Sequence, residues 1–443
     1  MGSIAERQVG HVWKRLGFGA TSADIDHGVA VGPQALIDDL LNRPLTTAAN
    51  WNFTTATDWV GQGKFLGQQL SLMAGGAGTA GAANPLQERL AWTLQGLVVV
   101  GIDGTVYFPD LVAHLMRLRS NPFGSYKQLL TDETTMVGMM KYLNGYQNSR
   151  QHPNQNYGRE LMELFTLGIS HPKTGAQNYT ESDVREVARS LTGYTLNWTA
   201  GTIVFDPNSF DSGQKNFLGQ PRGNAGIPEV MNAIAGHPSW GYYVPRRLFR
   251  ELVGLEPDAA TLDSLATAWG PSGDVRAVVS AIAHHPAFLS DAAIGAKAKT
   301  PIELMTSAAK ALAYDLSSVD YSWQLRDLFG QHPFLPPNVS GWPAGSRWLN
   351  TAVAMTWCSM LQAFLRASRA ATGGVVGKFL ASIPAAGAAG GAAAAAARLC
   401  GITDLSNATS IAISNYVAGG PWNADRAAGT LGLVLLSPEF FVN

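Results

Sequence analysis

Two pairs of carboxylates stand at helical spacing within one stretch, NYGRELMELFTLGISHPKTGAQNYTESDVREVARSLTG (156–193). Glu160 and Glu163 lie three residues apart, and Asp183 and Glu186 repeat the spacing after a Gly/Pro loop. Only 14% of the chain is charged, so charge has been concentrated here. Glycoside hydrolysis needs two carboxyl groups whose pKa values are pushed apart, one to give a proton and one to stay ionised. On a helical wheel Tyr157, Leu161, Leu164 and Leu167 form an apolar stripe, and Glu160 falls inside it. A carboxylate on a buried face must be paired, protonated or bound to something, which makes Glu160 the expected acid. Asp183 or Asp211, in more polar surroundings, is the expected base or nucleophile, and Glu163 completes the acidic set.

The same residues have a plainer reading. Arg159, Arg185 and Arg189 can pair with these acids and fasten the two helices together. Four carboxylates on two helices can also cage a divalent cation. Neither helix offers the histidine of a Glu-x-x-His pair, so calcium or magnesium would suit the site better than iron or zinc. A metal is not the favoured reading, and no cofactor is assigned.

Substrate contacts are expected from Tyr157, Arg159 and Lys215, the lysine holding an anionic group or pairing with Asp211. The loop QHPFLPPNVSGWPAGSRW (331–348) carries four prolines and two tryptophans, too stiff for a linker. Its Trp342, Trp348 and Asn338 suit a wall that stacks on sugar rings, and the alternative is a proline-braced cap on the core. His332 is a further candidate in that loop, whereas His237, His284 and His285 sit where imidazoles cap helix ends. His152 and His171 are read as solvated loop residues. No G-x-S-x-G elbow is present, which disfavours a serine hydrolase.

These groups must be positioned by helices. Thr21, Thr180 and Thr300 each stand three residues before an acid, the N-cap arrangement, and Pro301 adds the favoured first-turn proline. Helical periodicity predicts further segments at about 34–42, 84–100, 108–118, 227–236, 242–253, 259–268, 274–284, 349–368 and 426–435. Only 194–206 alternates as a hairpin should. The expected fold is mainly α: a large multi-helical globular body, one domain over 1–443, with long ordered loops and one short β-hairpin. Residues 45–83 read as a mobile Gly/Ala/Thr-rich loop, and 370–400 as an Ala/Gly-rich segment without chemistry.

A net charge of −1 and a pI near 6.8 give no field for nucleic acid or anionic membranes. No apolar run reaches the roughly 18 residues of a membrane span. Cys358 and Cys400 belong to no Cys/His cluster, which excludes a cysteine-based zinc site. No signal peptide is visible in MGSIAERQVGHVW.

Several blocks then line up in order: HVWKRLGFGAT (11–21), NYGRELMELFTLG (156–168), YTESDVREVARSLTGYT (179–195), KNFLG (215–219), KTPIEL (299–304), GQHPFLPPNVSGWPAGSRWLN (330–350) and SPEFF (437–441). Together they resemble the bacterial family called domain of unknown function 1800, over nearly the whole chain. The resemblance implies export to the periplasm or outside the cell, and no settled reaction. The chain departs from the family where a histidine usually precedes Asp-x-Gly-x-Lys, here Phe210. It departs again where a Trp-His-Asn-His-like run is common, here Trp92-Thr93-Leu94-Gln95-Gly96.

The sequence therefore points to a carbohydrate-active hydrolase or lyase. Its cleft would be built from 156–168, 179–194, 206–219 and 331–348 and would take a glycan or other small molecule. The alternative is a non-catalytic binding or envelope-assembly protein in which the charged block is a structural salt-bridge core.

Overall fold

A computed structural model describes residues 2–47, 59–75, 84–371 and 373–443. The chain is mainly α, with two separate two-stranded antiparallel sheets. It opens with α1 (Ile4–Arg15), α2 (Ser22–Val31) and α3 (Pro33–Asn42), and continues through α4 (Trp59–Met73), α5 (Pro85–Gln95), α6 (Phe108–Ser120), α7 (Tyr126–Glu133) and α8 (Val137–Tyr142). The charged stretch supplies α9 (Asn156–Glu160) and α10 (Glu181–Ser190). The hairpins β1 (Tyr194–Asn197)–β2 (Thr202–Phe205) and β3 (Lys215–Phe217)–β4 (Gln220–Gly223) follow. Next come α11 (Ile227–Ala235), α12 (Tyr243–Val253), α13 (Ala259–Trp269), α14 (Val275–Ala283) and α15 (Pro301–Ala311). The C-terminal group is α16 (Thr351–Ala370), α17 (Val375–Ser382), α18 (Ala388–Leu399), α19 (Asn407–Ala418) and α20 (Ala424–Leu435).

Buried apolar side chains from Val9 to Phe440 form one continuous cluster. Two helices run through its middle. α5 and α15 are buried on nearly every face, which a helix tolerates only when its polar residues find partners inside. Small residues in α15 let neighbours come close: Ser307 donates to the Phe18 carbonyl at 2.6 Å. The three threonine caps form as expected, at Thr21, Thr180 and Thr300, each with its reciprocal acid.

One expectation about a loop needs correcting. Within 45–83, residues 59–73 fold as α4 and bury Phe65, Leu66 and Leu70; positions 48–58 and 76–83 lie outside the described residues. The Ala-rich segment is a helix, α18, whose Ala392, Ala393, Ala396 and Ala397 are buried. Small residues on one face give close contact with α19 and α20 without large side chains. No single helix among the described residues is long and apolar enough to cross a membrane.

Candidate active site

The charged block begins with α9, which passes into a π-turn over Leu161–Thr166. The Thr166 hydroxyl donates to the Leu161 carbonyl at 2.5 Å and the Leu167 N–H to Met162 at 2.9 Å, both across five residues. An extra residue in the turn rotates the downstream side chains relative to an α-helical wheel. Phe165 thereby enters the core in place of Leu164, which is left half-buried. Glu160, just before the π-turn, is half-buried at the edge of the apolar face.

Most of the block's acids are already engaged. Asp183 Oδ2 accepts from the Thr180 N–H and hydroxyl, both at 2.7 Å, and Oδ1 accepts from the Leu218 N–H at 2.7 Å. That carboxylate caps α10 and straps the β3–β4 hairpin onto it. Glu186 accepts from Arg189 at 2.8 Å and from the Asn216 N–H at 3.1 Å, a second strap on the same hairpin. Arg189 also donates from Nε to Asp211 at 2.7 Å, and this bond holds the Asp211 carboxyl below its usual range. Arg159 forms a fork with Glu181, at 2.6 and 2.7 Å, rather than with Glu160. Glu163 accepts from the Tyr179 hydroxyl at 2.9 Å.

Glu160 differs. Among the described residues no hydrogen bond or ion pair reaches its carboxyl group. Burial raises its pKa, and the neighbouring charge of Glu163 raises it further. Tyr142 lies beside it, and that phenol is pushed up to about 12 by burial, then by Asp103 and Glu160. The four acids of the two helices do not converge on one point. Among the described residues no group of three or more His, Cys, Asp or Glu side chains is placed to hold a metal ion.

Two of the expected substrate contacts sit elsewhere. Tyr157 is buried, its hydroxyl 2.7 Å from that of Thr134, so it is a core residue. Lys215 is buried too; it donates to the Asp211 carbonyl and lies 4.6 Å from the centre of the Phe210 ring. Phe210 thus faces a cation that desolvation has made easier to deprotonate.

A cavity of about 400 Å³ opens beside α12. Its walls are the end of α5, one face of α12, residues 296–300 and the loop at 331–345. Trp342 from that loop stacks on Trp92 of α5, ring centres 5.4 Å apart and planes 28° apart. Below them Lys297 pairs with Glu251 and stands 3.5 Å from Glu303. Glu303 in turn takes Arg89 Nη1 at 2.6 Å, joining the two central helices α5 and α15. Arg247, also in the wall, donates to the Leu164 carbonyl at 3.1 Å and to Gly96 at 3.3 Å. It ties the π-turn to the cavity. Glu160 precedes Leu164 by four residues, just before the π-turn begins.

The proline-rich loop divides into wall and brace. Trp342 lines the cavity, whereas Trp348 is buried and donates to the Pro343 carbonyl at 2.7 Å, holding the loop closed. Asn338 is exposed and closes a turn by accepting from the Ser340 N–H at 2.9 Å. His332 is buried, with Nδ1 accepting from the Phe334 N–H at 3.1 Å. The same turn recurs at His171, His237 and His285, each followed by proline, with the N–H two residues on donating to Nδ1 at 3.1–3.2 Å. A ring nitrogen that accepts a backbone hydrogen bond is not free to be protonated, and burial pushes His332 down to about 4. His332 is a turn-forming residue rather than a substrate contact.

Arg89, Arg247, Arg250, Glu251 and Lys297 were not singled out from the sequence. The available signal was an Arg and a Glu in the otherwise apolar PLQERLAWTL run, since charges in a buried helix need partners. Glu303 was read only as a cap; it serves Thr300 through Oε2 and Arg89 through Oε1.

A family model described as "Protein of unknown function (DUF1800)" matches residues 11–442, and the chain belongs to that family. No curated protein matches it, and no solved structure does.

Proposed function

We propose that this family member is a glycan hydrolase or lyase in which Glu160 is the proton donor and the Trp92–Trp342 cavity is the adjoining sugar subsite. The observation that carries the reading is the pattern of pairing. Glu163, Glu181, Asp183, Glu186 and Asp211 each have a partner, and Glu160, half-buried with a raised pKa, has none. Acid catalysis of leaving-group departure needs a carboxyl group that holds its proton more tightly than a solvated glutamate, and burial and the charge of Glu163 act on Glu160 in that direction. Asp183 and Asp211, bound by cap and arginine, yield the ionised role to Glu163, which Tyr179 orients. The Trp92–Trp342 stack supports sugar binding, and the resemblance to exported relatives supports action outside the cytoplasm.

A second reading, a binding or assembly protein with a structural salt-bridge core, draws on Arg189. That one side chain joins Glu186, Asp211 and the Gln214 carbonyl. The test is a screen of polysaccharides and oligosaccharides with product detection, followed by Glu160→Gln on the substrate returned. The enzyme reading expects turnover to fall by about 10²–10⁴-fold at unchanged melting temperature. Unchanged turnover, or a variant that loses its fold, would favour the second reading.

A further inference from the structure

We propose that the Trp92–Trp342 cavity binds the carboxylate of an acidic sugar, a uronic acid residue. The sugar part rests on the glycan-enzyme reading, and the anion site rests on the charges around the cavity. Arg247, Arg250 and Lys297 line it against a single carboxylate, Glu251, which Lys297 already engages. Behind the wall the Arg89–Glu303 pair is complete. Cations are in surplus.

The surplus deepens behind Gly254. Arg15 is 2% exposed; its Nη2 donates to the carbonyls of Val253 and Ala293 at 3.2 Å, while Nε and Nη1 meet no partner among the described residues. Gly254 both lines the cavity and ends α12 at φ +85°, and a Cβ there would stand 2.5 Å from Arg15 Nη2. The absence of that side chain leaves the buried guanidinium directly behind the cavity surface. A buried, undercompensated cation is costly, and its field in a low-dielectric wall favours an anion close by.

Arg250 supplies the direct contact. It is exposed, and among the described residues its one ionic neighbour is Glu256, 3.4 Å from Nε, which Arg246 also engages. Its two Nη groups remain available for the forked bonds that guanidinium makes to a carboxylate. On the opposite side Trp342 Nε1 is buried without a partner among the described residues, a donor suited to a ring hydroxyl. A cavity of about 400 Å³ is at the lower end of those that hold small molecules, which suits one or two sugar rings.

The test is equilibrium binding to the full chain, followed by tryptophan fluorescence and calorimetry, with glucuronic acid, galacturonic acid, glucose, inorganic phosphate and sulfate as probes. A uronic acid is expected to bind at least about tenfold more tightly than glucose, and more weakly as salt rises. Arg250→Gln should weaken uronate binding about tenfold and leave glucose unaffected, with Arg250→Lys in between. Equal affinity for glucose and uronates, no effect of Arg250→Gln, no binding of any anion, or phosphate bound more tightly than both uronates would each overturn the proposal. Uronate binding without turnover would retire the enzyme reading alone, and turnover confined to neutral glycans would retire the cavity proposal alone.

Discussion

The charged block around α9 and α10 and the network beneath Trp92 are both built from arginine, lysine and carboxylates, but they are out of balance in opposite senses. In the block, most charges are matched by a neighbour close in sequence or across the hairpin; Arg185 is exposed, and the half-buried charge left over is an acid, Glu160. In the network, the partners come from segments far apart in the chain, and what is left over is positive: Arg15 Nε and Nη1 have no partner among the described residues, and Arg250 shares Glu256 with Arg246. Charge density along a sequence therefore marks where ions are plentiful, not where they are unsatisfied. Chemistry and binding are expected where the pairing fails.

Breaking the network should cost most. Glu303→Gln takes the buried Arg89 guanidinium's close carboxylate partner away and is expected to destabilise the protein by about 3–5 kcal/mol, read from denaturant midpoints. An equal loss from Arg159→Met, whose Glu181 partner is exposed, would erase the contrast between the regions; no measurable change is expected there.

His332 gives the next largest effect. Its folded pKa near 4 lies below the usual 6.5, so the unfolded chain binds the extra proton first as pH falls. The stability it contributes is whole above about pH 6.5 and lost as pH falls towards 4, amounting to about 3 kcal/mol. His332→Asn keeps a side-chain acceptor for the Phe334 N–H, and its acid unfolding profile should lack that loss. A profile identical to the wild type would show that the ring is not buried in its neutral form.

Asp183→Ala should cost about 1–2 kcal/mol, because it removes half of a capping box and the acceptor for Leu218. Hydrogen exchange at 215–223 should rise more than at 194–205. If it does not, the straps from α10 are not what holds the second hairpin.

The fold was legible where local chemistry decides it. The caps at Thr21, Thr180 and Thr300 and the alternation of 194–206 are set by neighbouring residues. The second hairpin was not legible, because its strands barely alternate and are held by Asp183 and Glu186 from another element. The π-turn was hidden for a related reason: a wheel assumes 3.6 residues per turn, and Leu164 left the stripe once one turn widened. Glu160 was legible as the acid needing an explanation. Its supposed partner Asp183 was legible as the acid of the Thr180 cap but not as a strap, since the Leu218 N–H that its other oxygen accepts lies 35 residues away. The cavity was the least legible part. Arg15, Trp92, Gly254, Lys297 and Trp342 share no spacing, and they meet only because the end of α5, α12, residues 296–300 and the 331–345 loop surround one cavity.

The ionisation of Glu160 can be measured directly, by following side-chain carboxyl ¹³C shifts with pH in protein labelled at glutamate and assigning the resonance through Glu160→Gln. The account predicts a titration above the ordinary glutamate value of 4.5, moving down when Glu163→Gln removes the adjacent charge. A midpoint at or below 4.5, indifferent to Glu163, would mean that Glu160 is a solvated or hidden-paired surface acid, and the central claim would not stand.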